Sequence, residues 1–378
     1  MSSQYGSLFS ISTWGESHGK GLGVVVDGCP AGLPITEEEI QAELDLRRPG
    51  QSKLTTPRKE ADQVEILSGV FEGYTTGTPI SMVIINQDQR SHDYGDMVNL
   101  YRPSHADLTY DLKYGFRDYR GGGRSSARET AGRVAAGAIA RKLLTQLCGT
   151  DILAYVSQIG PIDSHIDRNT VTRTQIEATP TRCPDPNAAP LMETEILTAR
   201  KEQDSIGGVI SFVVRKPPIG VGEPVFNRLE ANLAQAMLSI PATKAFEFGS
   251  GFEGTRLRGS AHNDAIYHKD GEFHTKTNRA GGILGGVSNG EDIYGRVGFK
   301  PTATISQDQE TTDQDGNSAI LKAKGRHDPC VVPRAPIIVE AMIALTLIDL
   351  YLEQRGRDLK TELKDKFKTD LNIDSAGK

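Results

Sequence analysis

The chain has 378 residues, and its 43 Lys+Arg against 49 Asp+Glu leave a formal charge of −6, which argues against a general nucleic-acid or membrane-surface binder. Any anion site is therefore local. The length allows one large domain with a substantial core, and the four widely spaced cysteines, Cys29, Cys148, Cys183 and Cys330, form no CxxC pair and no zinc spacing, as expected of reduced thiols in a cytoplasmic protein.

The first residues, MSSQYGSLFSISTWGESHG, carry no basic stretch followed by an apolar run, so no secretory leader is expected. LGVVVDG at 22–28 reads as a strand. Thr36 and Glu39, in capping-box spacing, open a helix through TEEEIQAEL. ISMVIIN at 80–86 is a second strand. In ARETAGRVAAGAIARKLL, apolar residues at 131, 134, 135, 138, 139 and 143 predict a helix beginning near Ala127, its small side chains suited to close packing. Strands follow at 207–214 and 294–300, with a helix over 227–240 between them. A last helix over 336–354 is interrupted by Pro336, Glu340 and Asp349, so it reads as buried rather than membrane-spanning. Residues 355–378 are charged and predicted to form a mobile tail. The elements do not keep the βαβ rhythm of a doubly wound sheet, and no Rossmann fingerprint is present, so the fold class is α+β. Both halves, 22–147 and 207–354, run strand-rich and then helical, which suggests an internal duplication within a single domain over 1–378.

The residues with chemistry cluster in loops. DYRGGGRSSARET, residues 118–130, sets Gly121, Gly122 and Gly123 before Arg124, Ser125 and Ser126, with Arg120 and Arg128 on either side. Glycines ahead of a helix start expose N–H groups, and arginines add charged forks, a combination that suits phosphate. A plain turn with capping serines is the alternative. His18 in WGESHGKG and His105 in RPSHAD stand in polar, glycine- or proline-flanked loops, as active-site residues or as parts of exposed turns. LRRPGQSKLTTPRK supplies Arg47, Arg48, Lys53 and Arg58, and KGRHDPCVVPRAP supplies Arg326, His327, Asp328 and Arg334. Pro329 biases Asp328 to extended backbone. NRAGGILGGVSNG and KPTATISQ combine glycines with Lys300, Thr302 and Thr304, enough to wrap donors around a planar or phosphorylated ligand. Dispersed arginines in an acidic chain imply a polyanionic small substrate, and two histidines with one aspartate imply proton transfers around it. No metal-ligand spacing and no nucleophile elbow appears. The residues alone lead as far as a phosphate- and carboxylate-handling lyase or transferase. A flavin- and phosphate-binding protein without catalysis, or a nucleic-acid binder, are the other classes that could use such clusters.

At GESHG, RPSHADLTYDLKYG, RGGGRSSARET and GRHDPC the chain closely resembles the chorismate synthase family, and the resemblance covers nearly its whole length. Lys53 stands where many of the family carry arginine, and Pro241 where others often have asparagine. The resemblance implies conversion of 5-enolpyruvylshikimate 3-phosphate to chorismate by 1,4-elimination of phosphate, with reduced FMN required although no net redox change occurs. NADPH is the implied direct or indirect reductant. His18 is then the proton donor to the leaving phosphate, His105 the neighbour of the flavin pyrimidine edge, and Asp328 the base toward flavin N5. Arg47, Lys53, Arg128 and Arg334 are the implied substrate clamps. Arg124, Ser125, Ser126, Gly285, Lys300, Pro301, Thr302, Ala303, Thr304 and Arg326 are the implied FMN contacts. The resemblance also implies a layered β-α-β sandwich with internal pseudo-symmetry, assembled as a homotetramer.

Overall fold

Two five-stranded antiparallel sheets carry the architecture of the computed structural model, which describes residues 3–55, 60–87, 98–323 and 328–358. In spatial order, the first sheet holds Gln4–Tyr5, Ser10–Gly15, Gly21–Asp27, Ile80–Ile85 and Val64–Ile66. The second holds Thr243–Phe248, Ile293–Phe299, Gly208–Arg215, Asp151–Ile159 and Ile162–Asp163. Alternation sets the inward face of the first sheet: Leu22, Val24 and Val26 on one strand and Ile80, Met82 and Ile84 on the next are all buried. Val24 lies opposite Met82 in register. The second sheet is covered on both faces, because Leu153, Tyr155 and Val213 pack outward against Val171 and Ile176 while Ile152, Ala154 and Val156 join the main core.

The helices are α1 (Glu37–Arg47), α2 (Asp107–Tyr114), α3 (Thr130–Cys148), α4 (Arg173–Glu177), α5 (Ala188–Lys201), α6 (Leu229–Leu238), the single turns α7 (Gly251–Gly254) and α8 (Gly259–His262), and α9 (Pro336–Arg357). α3 packs on the first sheet, α9 on the second, and the two helices on each other. Their approach depends on a missing side chain, since a Cβ on Gly137 would lie 2.4 Å from that of Ala341. One apolar cluster runs through both sheets and the helices between them.

Thr36 caps α1 in the expected box with Glu39. The four predicted strands fall within a residue of Gly21–Asp27, Ile80–Ile85, Gly208–Arg215 and Ile293–Phe299. The helix expected near Ala127 starts later, at Thr130, after 3₁₀ turns at Gly123–Ser125 and Ala127–Glu129. Glu129, ion-paired to Arg133 at 2.9 Å, stands at the N-cap of α3, so two 3₁₀ turns separate the glycine run from the helix. Residues 355–357 of the expected tail form the last turn of α9, and 359–378 lie outside the described residues.

Two carboxylates of α9 explain why its apolar run is interrupted. Glu340 is fully buried and accepts from the Ala154 N–H, Arg141 and Arg173, each at 2.7 Å. Asp349 accepts the backbone N–H groups of Ser7, Leu8 and Phe9 at 2.8, 2.7 and 2.9 Å. Both thereby satisfy groups that burial would otherwise leave unpaired.

Candidate active site

The loop after the strand Ser10–Gly15 turns at Gly15, φ +84°, and carries Ser17 and His18, both buried. Ser17 Oγ lies 3.0 Å from His18 Nδ1. Asn86, one residue past Ile80–Ile85, donates to the carbonyls of Glu16 and Gly19, both at 2.9 Å, and fixes the loop to the sheet. Arg124 reaches the other end of the same segment, donating to Gly15 O at 3.0 Å and to Thr13 Oγ1 at 2.7 Å. The glycine run then passes behind two imidazoles. Gly121 and Gly122 have φ +68° and +105°, and an added Cβ would stand 2.2 Å from the His18 ring and 2.9 Å from His105 Cε1, respectively. No side chain larger than hydrogen fits at either position.

His105 precedes α2, and its surroundings are not those of an exposed turn: Arg102, Asp107 and Arg117 are all buried. Asp107 takes Arg102 Nε and Nη2, each at 2.7 Å, and lies 2.9 Å from His105 Nδ1. Burial acts to raise the Asp107 carboxyl, but the bonds from Arg102 and His105 prevail and hold it well below the usual carboxylate range. Burial lowers the His105 imidazole, against the pull of Asp107 and with help from Arg102 and Lys300.

Arg47 ends α1 fully buried, and burial depresses its guanidinium against the opposing charge of Asp62. Asp62 holds a left-handed backbone, φ +49°, and its carboxylate joins two arginines, Arg47 at 2.7 Å on one oxygen and Arg128 on the other. Arg128 Nε also donates to Asn86 at 3.0 Å, which links this arginine to the His18 loop. Arg47 Nε and Arg128 Nη2 are buried without a hydrogen-bond partner among the described residues, the nearest ion-pair partner of Arg128 Nη2 being Glu60 at 3.8 Å. Orphaned guanidinium donors are costly unless something anionic meets them. Arg334 donates to Asp328 at 2.8 Å and to Arg47 O at 3.1 Å, and the Asp328 carbonyl accepts from Thr302 at 2.7 Å.

These side chains surround one cavity of about 340 Å³. Its polar wall includes His18, Arg47, His105, Ser125, Ser126, Arg128, Lys300, Thr302, Thr304, Asp328 and Arg334, with Ala303 beside them. Its apolar wall includes Ile240, Pro241, Phe299, Val331 and Ile338. The aliphatic wall suits a flat ring, the cations suit phosphate and carboxylate, and the orphaned donors suit a bound anion, so the residues present fit a planar phosphorylated group beside an anionic small molecule. A larger cleft of about 1260 Å³ adjoins it across Ser125 and Pro241, but neither imidazole nor Asp328 faces that cleft.

Four of the expected contacts do not line this cavity. Arg124 faces the larger cleft and holds the His18 segment. The carbonyl of Lys53 accepts from Arg200 at 2.9 Å, and its side chain does not line the cavity. Pro301 connects two lining residues without lining the cavity itself, and Gly285 sits at φ +62° in the tight turn between Ile283–Leu284 and Val287–Ser288. Arg326 lies outside the described residues. Conversely, Ser17, Asp62 and Asn86 hold the site without standing out in the sequence, and Arg102 and Asp107 stand out there only as neighbours of His105. Among the described residues no helix is long and apolar enough to cross a membrane.

The chorismate synthase family model matches residues 9–352. Curated chorismate synthases from Synechocystis sp. and Synechococcus elongatus are each 60% identical to the chain, over 350 and 358 residues, covering 92% and 94% of it and 97% and 99% of their own lengths. A crystal structure of chorismate synthase superposes with a TM-score of 0.72 at 32% identity, over 98% of this chain and 99% of that one. With the cavity above built from the residues that carried the resemblance, the model match and these identities show that the chain belongs to the chorismate synthase family.

Proposed function

We propose that the cavity catalyses the 1,4-elimination of phosphate from 5-enolpyruvylshikimate 3-phosphate to give chorismate, the last step of the shikimate pathway. The observation that carries this reading is the convergence of His18, His105 and Asp328 with Arg47, Arg128 and Arg334 on one cavity, where Arg47 Nε and Arg128 Nη2 are buried without a hydrogen-bond partner among the described residues. A reduced FMN, when bound, supplies transient electron density and a proton acceptor without net redox change. The chain's part is to bind, orient and move protons. Arg47, Arg128 and Arg334 receive the substrate's anionic groups, two of them held by Asp62 and one by Asp328. His18, held by Ser17, donates the proton to the departing phosphate. Asp328, held by Arg334, would be the base that takes up the proton released in the elimination. Ser125, Ser126, Lys300, Thr302, Ala303 and Thr304 would hold the cofactor, and the apolar wall would shield its ring from water.

The same proposal includes NADPH as the direct or indirect reductant, a homotetramer, a cytoplasmic location and a single domain. The layered β-α-β sandwich with internal pseudo-duplication belongs to it as well, supported by two five-stranded sheets with α3 and α9 packed between them. The test is an anaerobic assay with the enolpyruvyl substrate and chemically reduced FMN, following phosphate release and chorismate absorbance. Stoichiometric phosphate and chorismate are expected, and release of neither would overturn the reading.

A further inference from the structure

Asp107 is buried, and both of its carboxylate oxygens are held. One oxygen accepts the Arg102 backbone N–H at 3.1 Å and Arg102 Nε at 2.7 Å. The other accepts Arg102 Nη2 at 2.7 Å and lies 2.9 Å from His105 Nδ1, with Arg117 Nη1 at 3.6 Å. An ionised carboxylate only accepts hydrogen bonds, so the proton on that last contact belongs to the imidazole. Nδ1 carries it, and the lone pair of the neutral ring is left on Nε2. That nitrogen lies on the glycine-run side of the ring, about where a Cβ on Gly122 would come within 3.1 Å of Nε2 and 3.2 Å of Ser125 Oγ. The groups around the ring are Asp107 and Arg102 on its own segment, Lys300 across the cavity, and Ser125.

We propose that Asp107 is a positioning residue that fixes His105 as the Nδ1–H tautomer, so that the neutral ring offers an acceptor at Nε2 to the cavity and offers a donor there only once the ring is protonated. This deepens the proposed function, because it rests on His105 working at that cavity. Arg102 is the counter-charge that keeps Asp107 ionised, and the bidentate fork fixes the carboxylate plane that aims the ring.

The test uses the full chain with ¹⁵N-labelled imidazoles, and the His105 signals are assigned by their loss in His105→Gln. Above the titration of the ring, the parent should show a protonated Nδ1 and an unprotonated Nε2. The opposite tautomer, or an even mixture, overturns the proposal, and this arm stands even where a variant does not fold. In Asp107→Asn the side-chain amide can donate to Nδ1, so the tautomer should reverse and turnover should fall by about 10²-fold or more. A folded Asp107→Asn that keeps the parental tautomer also overturns it. Adding Asp107→Asn to His105→Gln should cost less than about twofold more, since coupled residues are not additive; a full further loss would show that Asp107 acts apart from the ring. If His105→Gln alone retains parental turnover, the reading of the cavity fails, while the spectrum still decides the tautomer.

Discussion

Arg334 donates through Nη1 to the Asp328 carboxylate at 2.8 Å, while its Nε donates to the carbonyl of Arg47, so one guanidinium joins the proposed base to the proposed substrate clamp. Asp328→Asn keeps the size and most of the contacts of the side chain while removing the base. Turnover under anaerobic conditions with reduced flavin should fall by about 10²–10⁴-fold, with substrate and flavin still bound in equilibrium titrations. Turnover within tenfold of the parent would assign the proton to another group.

Gly121 and Gly123 separate two effects of the glycine run. Both have left-handed backbones, φ +68° and +53°, so the backbone strain of either alanine substitution should cost about 1–2 kcal/mol of stability, with the overlap at 121 adding to it. Only the Cβ at 121 meets the His18 ring, whereas nothing lies within 4 Å of one at 123. Gly121→Ala should therefore lose turnover well beyond its loss of stability, and Gly123→Ala should not. Urea unfolding alongside steady-state assays makes the comparison, and equal turnover in the two variants would show that the His18 contact is unimportant.

Asp62 stands between two buried arginines. Asp62→Asn leaves Arg47 and Arg128 facing each other with their counter-charge removed, and breaking such a buried pair should cost about 3–5 kcal/mol in urea unfolding. In the fraction that remains folded, KM for the anionic substrate should rise, because both clamps lose the carboxylate that orients them. An unchanged unfolding midpoint would mean that Glu60 takes over the charge.

The His105 imidazole titrates below its ordinary value of about 6.5 because burial disfavours the cation. Between that lowered value and about pH 6.5 the unfolded chain binds more protons at this site than the folded one. The site's contribution to stability is thus present above about pH 6.5 and is lost as pH falls through the folded pKa. Unfolding midpoints at about pH 7.5 and 5.5 should drop further for the parent than for His105→Gln. Parallel drops would place the pH dependence elsewhere.

The strands and helices whose pattern is local were legible in the sequence. Alternation marked Gly21–Asp27 and Ile80–Ile85, and the Thr36 box marked α1. Asp151–Ile159 was not, because burial on both faces erases the alternation; the polar exposed face of α5 dilutes a short apolar stripe, and α2 buries Asp107 while Leu108 and Leu112 stay exposed, so it has no apolar stripe to read. Within the site, loop histidines and arginines stood out by type. Asp62 did not: it sits in the charged stretch KEADQVE, and its pairing with Arg47, 15 residues before it, and Arg128, 66 residues after it, is made by the fold. Arg102 and Asp107 were visible beside His105, but their bidentate pairing is a product of the start of α2 and is not written in the spacing.

The three N–H groups of Ser7, Leu8 and Phe9 find their acceptor in Asp349, 340 residues beyond Phe9. At a synthesis rate of about 5–20 residues per second, that acceptor emerges on the order of twenty seconds to a minute after its partners. The turn between the first two strands therefore waits through most of translation with its donors exposed, and the outer edge of the first sheet closes only when the last helix has left the ribosome. A nascent chain stalled anywhere before residue 349 carries its earliest segment unfinished, whatever else has already folded behind it.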